Sequence, residues 1–358
     1  MSGNKKIGAP YRYFFILGNT PILSSAEIFA VLERQGIAVA WLCASEEVAV
    51  IETSASIDLK ALMMTLGGTI KIGILLSEGT TVEQWVREKC CKGDPCNDKG
   101  HPCRSVVGVS VYKAAVGVSN AKCDATLRAT QGEILAVKRS LKTEGKTLRL
   151  VTTRDRMLSS VALVTEHILE RGGELVAFLS NNGEIQFGET LAVQAFHVYR
   201  SRDIGRPSRD ALRGMLPQKV AQMMVNLAGV KDGGTILDPF CGSGTVLSEA
   251  ALLGYNVIGS DIAEGAVEDT KKNFQFLISN QFQSPNQTST SSVGTGQANS
   301  KFFVSDVREI ATHLEKQSVD AIVTEPYLGP PLTGKESSVL LGKTRRDVQA
   351  LVTDAFAV

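Results

Sequence analysis

Carboxylates follow successive apolar runs in the last third of the sequence. Asp238, Asp261 and Asp306 each end or follow an apolar run that the pattern predicts to be a β-strand, and Glu325 follows a fourth run. The carboxyl ends of parallel strands lie at one edge of an open α/β sheet, where ligands bind. Any one of these acids could cap a helix, but four at successive strand ends favour a binding site.

A turn rich in small residues follows the first of these strands and precedes a predicted helix. Gly242 and Gly244 permit backbone conformations and a close ligand approach that a side chain would forbid. Ser243 and Thr245 could satisfy the first free amides of the helix. Asp261 lies 17 residues after Gly244, near the place where an acid binds ribose hydroxyls in nucleotide-binding folds. The turn therefore predicts a nucleotide-like ligand.

The glycine pattern excludes two common nucleotide sites. Position 247 is Leu, so the dinucleotide pattern Gly-x-Gly-x-x-Gly is absent, and the Gly-Lys-Ser/Thr of a phosphate loop does not follow. Instead, Asp-Pro-Phe-Cys-Gly-Ser-Gly-Thr at 238–245 resembles the first motif of S-adenosylmethionine-dependent methyltransferases that act on exocyclic amines of RNA and DNA bases. An ordinary α/β glycine turn is the alternative.

This resemblance implies how the cofactor is held. The turn would bind the amino-acid part of S-adenosylmethionine, Asp261 its ribose and Asp306 its adenine amine. The cofactor-binding residues that the resemblance implies are Asp238, Pro239, Phe240, Cys241, Gly242, Ser243, Gly244, Thr245, Asp261, Ile262, Asp306 and Val307.

The segment Thr324-Glu325-Pro326-Tyr327 is expected to face the methyl acceptor. Methylases of this class carry Asp/Asn-Pro-Pro-Tyr/Phe here, where oxygen atoms accept hydrogen bonds from the amine and an aromatic ring stacks on a base that has left its own stack. Either Glu325 replaces the acid or Thr324 occupies its position, and a purely structural turn is the alternative to both. We predict that Glu325 is the acceptor and Tyr327 the stacking residue. Thr324, Glu325, Pro326 and Tyr327 are the predicted catalytic residues.

Two further segments narrow the resemblance. FFILGNTPILSSAEIFAVL (14–32) resembles the N-terminus of tRNA guanosine-10 methyltransferases, and GMLPQKVAQMMVNLAG (214–229) resembles the segment before the cofactor motif in the same family. Between them, residues 81–199 resemble in domain order the THUMP domain of tRNA-modifying enzymes, with an unrelated α+β domain as the alternative. The resemblance implies that the chain methylates the exocyclic amine of guanosine-10 in tRNA. Methylation of ribosomal RNA or of DNA adenine, or an inactive tRNA-binding protein, are the alternatives.

A basic connector, residues 200–219, precedes the cofactor motif. Arginines at this density favour contacts with RNA phosphates, with a solvated linker as the alternative. The predicted RNA-binding residues are Arg200, Arg202, Arg206, Arg209 and Arg213. Residues 1–230 carry 28 Lys+Arg against 22 Asp+Glu, and residues 231–358 carry 10 against 15. This asymmetry fits an RNA-binding part joined to a catalytic part.

The predicted fold class is α/β. An N-terminal α+β module, ferredoxin-like and THUMP-like, precedes a Rossmann-type methyltransferase domain. The predicted segments are a ferredoxin-like domain (1–80), a THUMP-like RNA-binding domain (81–199), a basic linker and helix (200–230), and the methyltransferase domain (231–358) with a flexible insertion (279–300). Because such domains usually have seven strands and four are predicted here, the domain is expected to be C-terminally incomplete. A protein partner could complete it.

Composition and cysteine spacing complete the predictions. No apolar run approaches the ~20 residues that span a bilayer, and no secretory signal is recognised, so a cytoplasmic location without membrane contact is expected. Four of the seven cysteines lie in residues 90–103 together with His101. A soft-metal site from Cys91, Cys96, His101 and Cys103 is conceivable. Because the Cys-x-x-Cys spacing is absent, we predict reduced thiols and no metal.

Overall fold

The computed structural model describes residues 10–91, 104–208, 216–279, 299–330, 334 and 336–357. The described residues form two compact units. The first contains the chain up to Met64 and Gly68–Phe196, and the second contains Thr65–Gly67 and the chain from His197 onwards. No described helix is both long and apolar enough to cross a membrane.

The first unit is built on one eight-stranded sheet with the order β2-β3-β1-β4-β8-β7-β5-β6. Among the strand pairs of the described residues in this unit, those of β5 with β6 and with β7 are parallel and the others are antiparallel. The last five residues of β1 are buried because β1 lies between two neighbours, which explains its continuous apolar sequence. The strands are β1 (Tyr11–Leu17), β2 (Val39–Ala44), β3 (Val48–Thr53), β4 (Thr69–Leu75), β5 (Arg104–Lys113), β6 (Thr147–Val151), β7 (Gly172–Leu179) and β8 (Ile185–Val193).

Six helices accompany this sheet in the described sequence. They are α1 (Pro21–Arg34), α2 (Leu59–Thr65), α3 (Val82–Cys91), α4 (Asn120–Thr143), α5 (Ser160–Thr165) and α6 (Ile168–Arg171). The longest, α4, is capped by the Ser119 hydroxyl, which accepts a hydrogen bond from the Lys122 amide. Its buried side includes Ile134, Val137 and Leu141. Arg128 and Arg139 lie on its exposed side.

The strands of residues 1–80 and of residues 81–199 share this sheet. The predicted boundary at residue 80 therefore falls between strands of one compact unit, whereas the predicted boundary near residue 200 lies close to the division after Phe196. The assignment of two separate N-terminal domains, including the THUMP-like one, stays a prediction.

Two secondary-structure predictions are wrong in detail. The sequence pattern over residues 189–199 predicts a strand, but this stretch contains the end of β8 and then the start of a helix, α7 (Phe196–Ile204), because short apolar stretches fit both periods. The helix places Tyr199 and Arg202 on one face, where the guanidinium carbon lies 4.5 Å from the ring centre. The apolar positions Val161, Val164, Ile168 and Leu169 predict one helix over residues 159–172, but the helix is interrupted at His167, which has a left-handed backbone with φ of 53°.

The second unit has a four-stranded sheet with the order β11-β10-β9-β12, and all its pairings are parallel. Its strands are β9 (Thr235–Asp238), β10 (Asn256–Asp261), β11 (Ser300–Val304) and β12 (Ala321–Ile322). After α7, its helices are α8 (Gln218–Leu227), α9 (Thr245–Leu252), α10 (Glu264–Ser279) and α11 (Ser338–Ala357), with a 3₁₀ helix at Val307–His313. The four parallel strands predicted from the sequence are confirmed.

The core of the second unit joins the sheet to α8, α9 and α10. Val225 of α8, Ile236 of β9 and Leu247 of α9 are fully buried there or nearly so, together with Phe274 of α10. On the other side of α8, the side-chain amides of Gln222 and Asn226 donate hydrogen bonds to the Thr65 backbone carbonyl at 3.0 and 2.7 Å. Because β9 and α9 pack in the same core, the two ends of the turn that joins them are held in place.

Candidate functional site

Hydrogen bonds connect the carboxyl ends of the four parallel strands. The Thr324 hydroxyl, just beyond β12, donates to Asp238 Oδ1 at the end of β9 over 2.6 Å. The Gly242 amide donates to Asp261 Oδ2 at the end of β10 over 3.1 Å. The Ser305 amide, just beyond β11, donates to the Asp261 carbonyl over 3.1 Å. The predicted cofactor segment and the predicted acceptor segment therefore meet at one edge of the sheet.

The turn between β9 and α9 requires both of its glycines. Gly242 and Gly244 have φ of +52° and +81°, in the left-handed region that side chains disfavour. A Cβ added at Gly242 would meet nothing nearer than the Phe240 carbonyl oxygen at 4.0 Å, so this face of the turn is open. A Cβ added at Gly244 would lie 2.9 Å from Thr270 Cγ2. Gly242 therefore leaves room for a ligand, and Gly244 allows close packing on α10.

The expectation that Thr245 caps α9 is wrong. The N-cap residue is Gly244, which makes no side-chain cap, and Thr245 is the first residue of the helix. The Thr245 hydroxyl instead accepts a hydrogen bond from Arg206 Nη1 at 3.0 Å. The Ser243 carbonyl accepts a hydrogen bond from Asn273 Nδ2, in the side chain, at 2.9 Å.

Asp238 is a buried acid that joins two strand ends. Its Oδ1 accepts from the Phe240 amide as well as from Thr324. The pKa of Asp238 is raised to about 7, mainly by burial and to a smaller extent by the charges of Asp261 and Glu325, whereas the two hydrogen bonds oppose the shift. With 2% of its surface exposed, Asp238 fixes the position of the acceptor segment relative to β9.

Asp261 lies beside the glycine turn and is only partly buried. Its Oδ1 accepts from the Ala263 amide at 2.9 Å, and its Oδ2 accepts from Gly242. Each carboxylate oxygen retains a second lone pair for another donor. The next side chain, Ile262, is apolar and 70% exposed. An acid and an exposed apolar side chain thus stand together at the end of β10.

Asp306 and Val307 have structural partners of their own. Asp306 caps the 3₁₀ helix by accepting from the Arg308 amide at 3.0 Å, and the Arg308 guanidinium forms an ion pair with it. The Arg308 side chain is the main cause that lowers the pKa of Asp306 to about 2. Val307 is buried. Asp306 is therefore ionised at neutral pH and held next to a cation.

The acceptor segment presents two of its four predicted residues to solvent. Glu325 is exposed and Tyr327 is 54% exposed, whereas Thr324 and Pro326 are partly buried. Because the Thr324 hydroxyl is bound to Asp238, its position links the strands, and the side chains of Glu325 and Tyr327 remain accessible.

The structure contradicts the surface role predicted for two arginines. Arg202 forms a buried ion pair with Glu249 at 2.8 Å, and Arg206 is 8% exposed with its Nη1 bound to Thr245. Closely spaced arginines predict a basic, solvent-exposed surface. Here, however, Arg202 pairs with the Glu249 carboxylate of α9, and Arg206 binds the Thr245 hydroxyl of the same helix. Arg200 is exposed, and Arg209 and Arg213 lie outside the described residues.

Two residues of α10 that were not predicted from the sequence donate side-chain hydrogen bonds to carbonyls of the glycine turn. The Thr270 hydroxyl donates to the Gly242 carbonyl at 2.9 Å, and Asn273 binds the Ser243 carbonyl. Both side chains are buried. The available signal was their position on the apolar side of α10, alongside Val267 and Phe274, where polar residues need a buried partner.

The described residues contain no cluster of three or more potential metal ligands. Cys96, His101 and Cys103 lie outside the described residues, as do residues 280–298 of the predicted insertion (279–300). Burial raises the pKa of the Cys241 thiol in the glycine turn to about 12. This thiol is therefore neutral at physiological pH and is not an activated nucleophile.

The parallel sheet, the glycine turn after its first strand and the acid at the end of its second strand define a methyltransferase domain of Rossmann type. The expected fold class is thereby confirmed for this unit. Residues 206–341 match the family described as the RMKL-like methyltransferase domain.

Relatives share the methyltransferase part. A tRNA (guanine(10)-N2)-dimethyltransferase of Methanothermobacter thermautotrophicus is 39% identical over 116 residues, which are 32% of this chain and 28% of that protein. A ribosomal RNA large subunit methyltransferase K/L of Shewanella pealeana is 31% identical over 150 residues, 38% of this chain and 19% of that protein. Among solved structures, TrmN from Thermus thermophilus aligns over 89% of this chain and 80% of its own, with 16% identity and a TM-score of 0.44. The matched segments thus span about a third or less of these two relatives' length.

Proposed function

We propose that this chain is an S-adenosylmethionine-dependent tRNA methyltransferase that methylates the exocyclic amine of a guanosine, at position 10 by resemblance. The observation that carries the proposal is the shared edge of the sheet. There the glycine turn contacts Asp261, and the segment of Glu325 is tied to β9 through Thr324 and Asp238. A cofactor site and an acceptor site on one edge suit direct transfer between two bound molecules.

The residues at this edge fit the cofactor. Gly242 leaves the turn open to a ligand, and Asp261 has lone pairs left for ribose hydroxyls. The exposed Ile262 offers an apolar surface for the adenine ring. S-adenosylmethionine, when bound, supplies a methyl group on a positively charged sulfur. Asp306 keeps the role of an adenine contact only as a proposal, because its carboxylate already binds Arg308.

Glu325 and Tyr327 are the proposed acceptor residues. An exocyclic amine is a poor nucleophile because its lone pair is delocalised into the base. By accepting a hydrogen bond from this amine, Glu325 favours a nitrogen whose lone pair is directed at the methyl group. Tyr327 stacks on the base after the base has left the RNA stack. The exposure of Glu325 and Tyr327, and the bond that Thr324 makes to Asp238, support Glu325 over Thr324 as the acceptor.

The first unit is the proposed tRNA-binding part. Its exposed basic residues on α4, Arg128 and Arg139, support phosphate contacts that do not depend on base sequence. The THUMP-like assignment of residues 81–199 belongs to this proposal. The cytoplasmic location and a completing protein partner stay predictions.

A second candidate substrate is ribosomal RNA. The Shewanella pealeana relative is named for large-subunit ribosomal RNA, and it matches a similar share of this chain. The chemistry of the two candidates at the shared edge is the same, so the substrate RNA decides between them.

The test is methyl transfer from radiolabelled S-adenosylmethionine by the full chain. Unmodified tRNA and large-subunit ribosomal RNA are supplied separately, and the products are digested to nucleosides. We expect N2-methylguanosine from tRNA, with at least a hundredfold loss in Glu325→Ala. Glu315→Ala, an exposed glutamate in the turn before β12, is the matched control and should retain full activity. Label in ribosomal RNA or in adenine would favour the alternatives, and tRNA binding without transfer would indicate an inactive binding protein.

A further inference from the structure

Two buried side chains of α10 hold consecutive carbonyls of the glycine turn. Thr270, 1% exposed, donates from its hydroxyl to the Gly242 carbonyl over 2.9 Å. Asn273, 4% exposed, donates from Nδ2 to the Ser243 carbonyl over 2.9 Å. The two residues are three apart, so they lie on one face of α10 beneath the turn.

These two bonds fix the peptide planes of the turn. In a trans peptide the carbonyl and the following N–H point in opposite directions. Because Thr270 draws the Gly242 carbonyl toward α10, the Ser243 N–H points away from α10. Asn273 orients the next peptide plane in the same way. The open face at Gly242 is therefore backed by a rigid framework rather than by backbone alone.

Asn273 also binds the connector that precedes the domain. The Ser208 amide donates to Asn273 Oδ1 at 3.0 Å, and Asn273 Nδ2 donates to the Ser208 carbonyl at 3.0 Å. An N–H can only donate and a carbonyl can only accept, so these partners fix the orientation of the carboxamide. One carboxamide thus joins Ser208 and Ser243, which are 35 positions apart in the sequence.

A second contact joins the same connector to the same turn. Arg206, two residues before Ser208, donates to the Thr245 hydroxyl at 3.0 Å from a buried position. The connector residues 206–208 are therefore bound to the turn at both ends, directly at Thr245 and through Asn273 at Ser243. This connection explains why Arg206, which was predicted to lie on the surface, is buried.

We propose that Asn273 is a positioning residue for S-adenosylmethionine, and that it couples the seating of the connector at 206–208 to the conformation of the glycine turn. The inference rests on the proposed function, since it assumes that the turn binds this cofactor. Thr270 supports the same turn without touching the connector. Cofactor affinity therefore depends on a residue that lies behind the turn and on a segment outside the sheet.

Isothermal titration of S-adenosylmethionine into the full chain tests the proposal, with melting temperatures measured in parallel. Asn273→Ala should weaken cofactor binding at least tenfold, and the near-isosteric Thr270→Val about fivefold. Asn226→Ala is the matched control, because Asn226 is equally buried and donates one amide hydrogen bond to the Thr65 carbonyl away from the turn. It should lower the melting temperature to a similar extent and change cofactor affinity less than twofold.

Hydrogen exchange tests the coupling to the connector. Saturating S-adenosylmethionine should slow exchange of the peptide that contains Ser208 at least threefold in wild type and have no such effect in Asn273→Ala. If wild type binds and Asn273→Ala matches Asn226→Ala in affinity, the positioning role is overturned while the proposed function stands. If wild type gives no heat, the proposed function itself fails, and the inference fails with it. If Asn273→Ala does not fold, Thr270→Val still tests the proposal. Unchanged S-adenosylmethionine affinity in Thr270→Val would contradict the claim that side chains of α10 position the glycine turn for the cofactor.

Discussion

Asp238, which is predicted to bind the cofactor, also joins two strand ends in the structure. It is buried and accepts hydrogen bonds from Phe240 and Thr324, and its pKa is raised to about 7, mainly by burial. The sequence placed Asp238 at a strand end, because an acid after an apolar run marks that position. It could not reveal the bond to Thr324, which is 86 positions away.

The raised pKa of Asp238 predicts how stability depends on pH. Between pH 3.8, where Asp238 titrates in the unfolded chain, and about 7, the folded state holds a proton that the unfolded state has lost. Stability should therefore fall as pH rises through this window. Asp238→Asn stays neutral and retains an acceptor oxygen for Phe240 and Thr324. We expect its unfolding free energy to fall less between pH 5 and pH 8 than that of wild type, by on the order of 2 kcal/mol.

Urea unfolding at pH 5, 6, 7 and 8 measures this difference. Glu249, whose pKa burial also raises to about 7, contributes a residual slope in both proteins, so the comparison isolates Asp238. Parallel pH profiles for wild type and Asp238→Asn would show that Asp238 does not titrate in this range.

The glycine turn and its supporting helix are the elements that define the site. The sequence predicted the turn, since glycines between an apolar strand and a helix indicate left-handed backbone and close contacts. It missed the role of α10, because helical periodicity shows that Thr270 and Asn273 face the core but not which carbonyls they bind. It also misjudged Arg202, whose partner Glu249 lies on another helix.

Gly244→Ala should damage the turn more than the same change elsewhere. The alanine would adopt φ of +81° and place its Cβ 2.9 Å from Thr270 Cγ2, so it adds a clash to the left-handed cost of about 1–2 kcal/mol. Gly254→Ala is the control, with φ of +93° and nothing within 4 Å of the added Cβ. Thermal unfolding should show a larger loss for Gly244→Ala, and only this variant should bind S-adenosylmethionine at least tenfold more weakly. Equal effects of the two substitutions would argue against the packing of Gly244 on α10.

At the scale of the whole molecule, the charge asymmetry of the chain is easier to predict from the sequence than the strand order is. The net excess of basic residues before position 231 was visible in the sequence, whereas the single eight-stranded sheet of the first unit was not. Strand order depends on pairings between distant segments, such as β4 with β8, that local patterns do not encode. Alternation of strands and helices was sufficient for the parallel sheet of the second unit, because consecutive parallel strands need helical connections.

The basic surface of α4 should control tRNA affinity. Arg128 and Arg139 are exposed on this helix, and Arg128→Glu with Arg139→Glu should weaken tRNA binding at least tenfold at low salt and reduce its salt dependence. Lys60→Glu, an exposed lysine on α2 of the same unit, should have a smaller effect for each charge changed. Filter binding at several salt concentrations measures both quantities. If the double variant binds tRNA as wild type does, α4 is not part of the RNA-binding surface.

Titration of S-adenosylmethionine into wild type and into Asp261→Ala tests the central claim most directly. That claim is that the glycine turn and the acid at the end of β10 form one cofactor site, as the Gly242–Asp261 hydrogen bond indicates. We expect saturable binding by wild type, and at least a hundredfold loss in Asp261→Ala with the fold retained by circular dichroism. Equal heats of binding from the two proteins would contradict this placement of the cofactor.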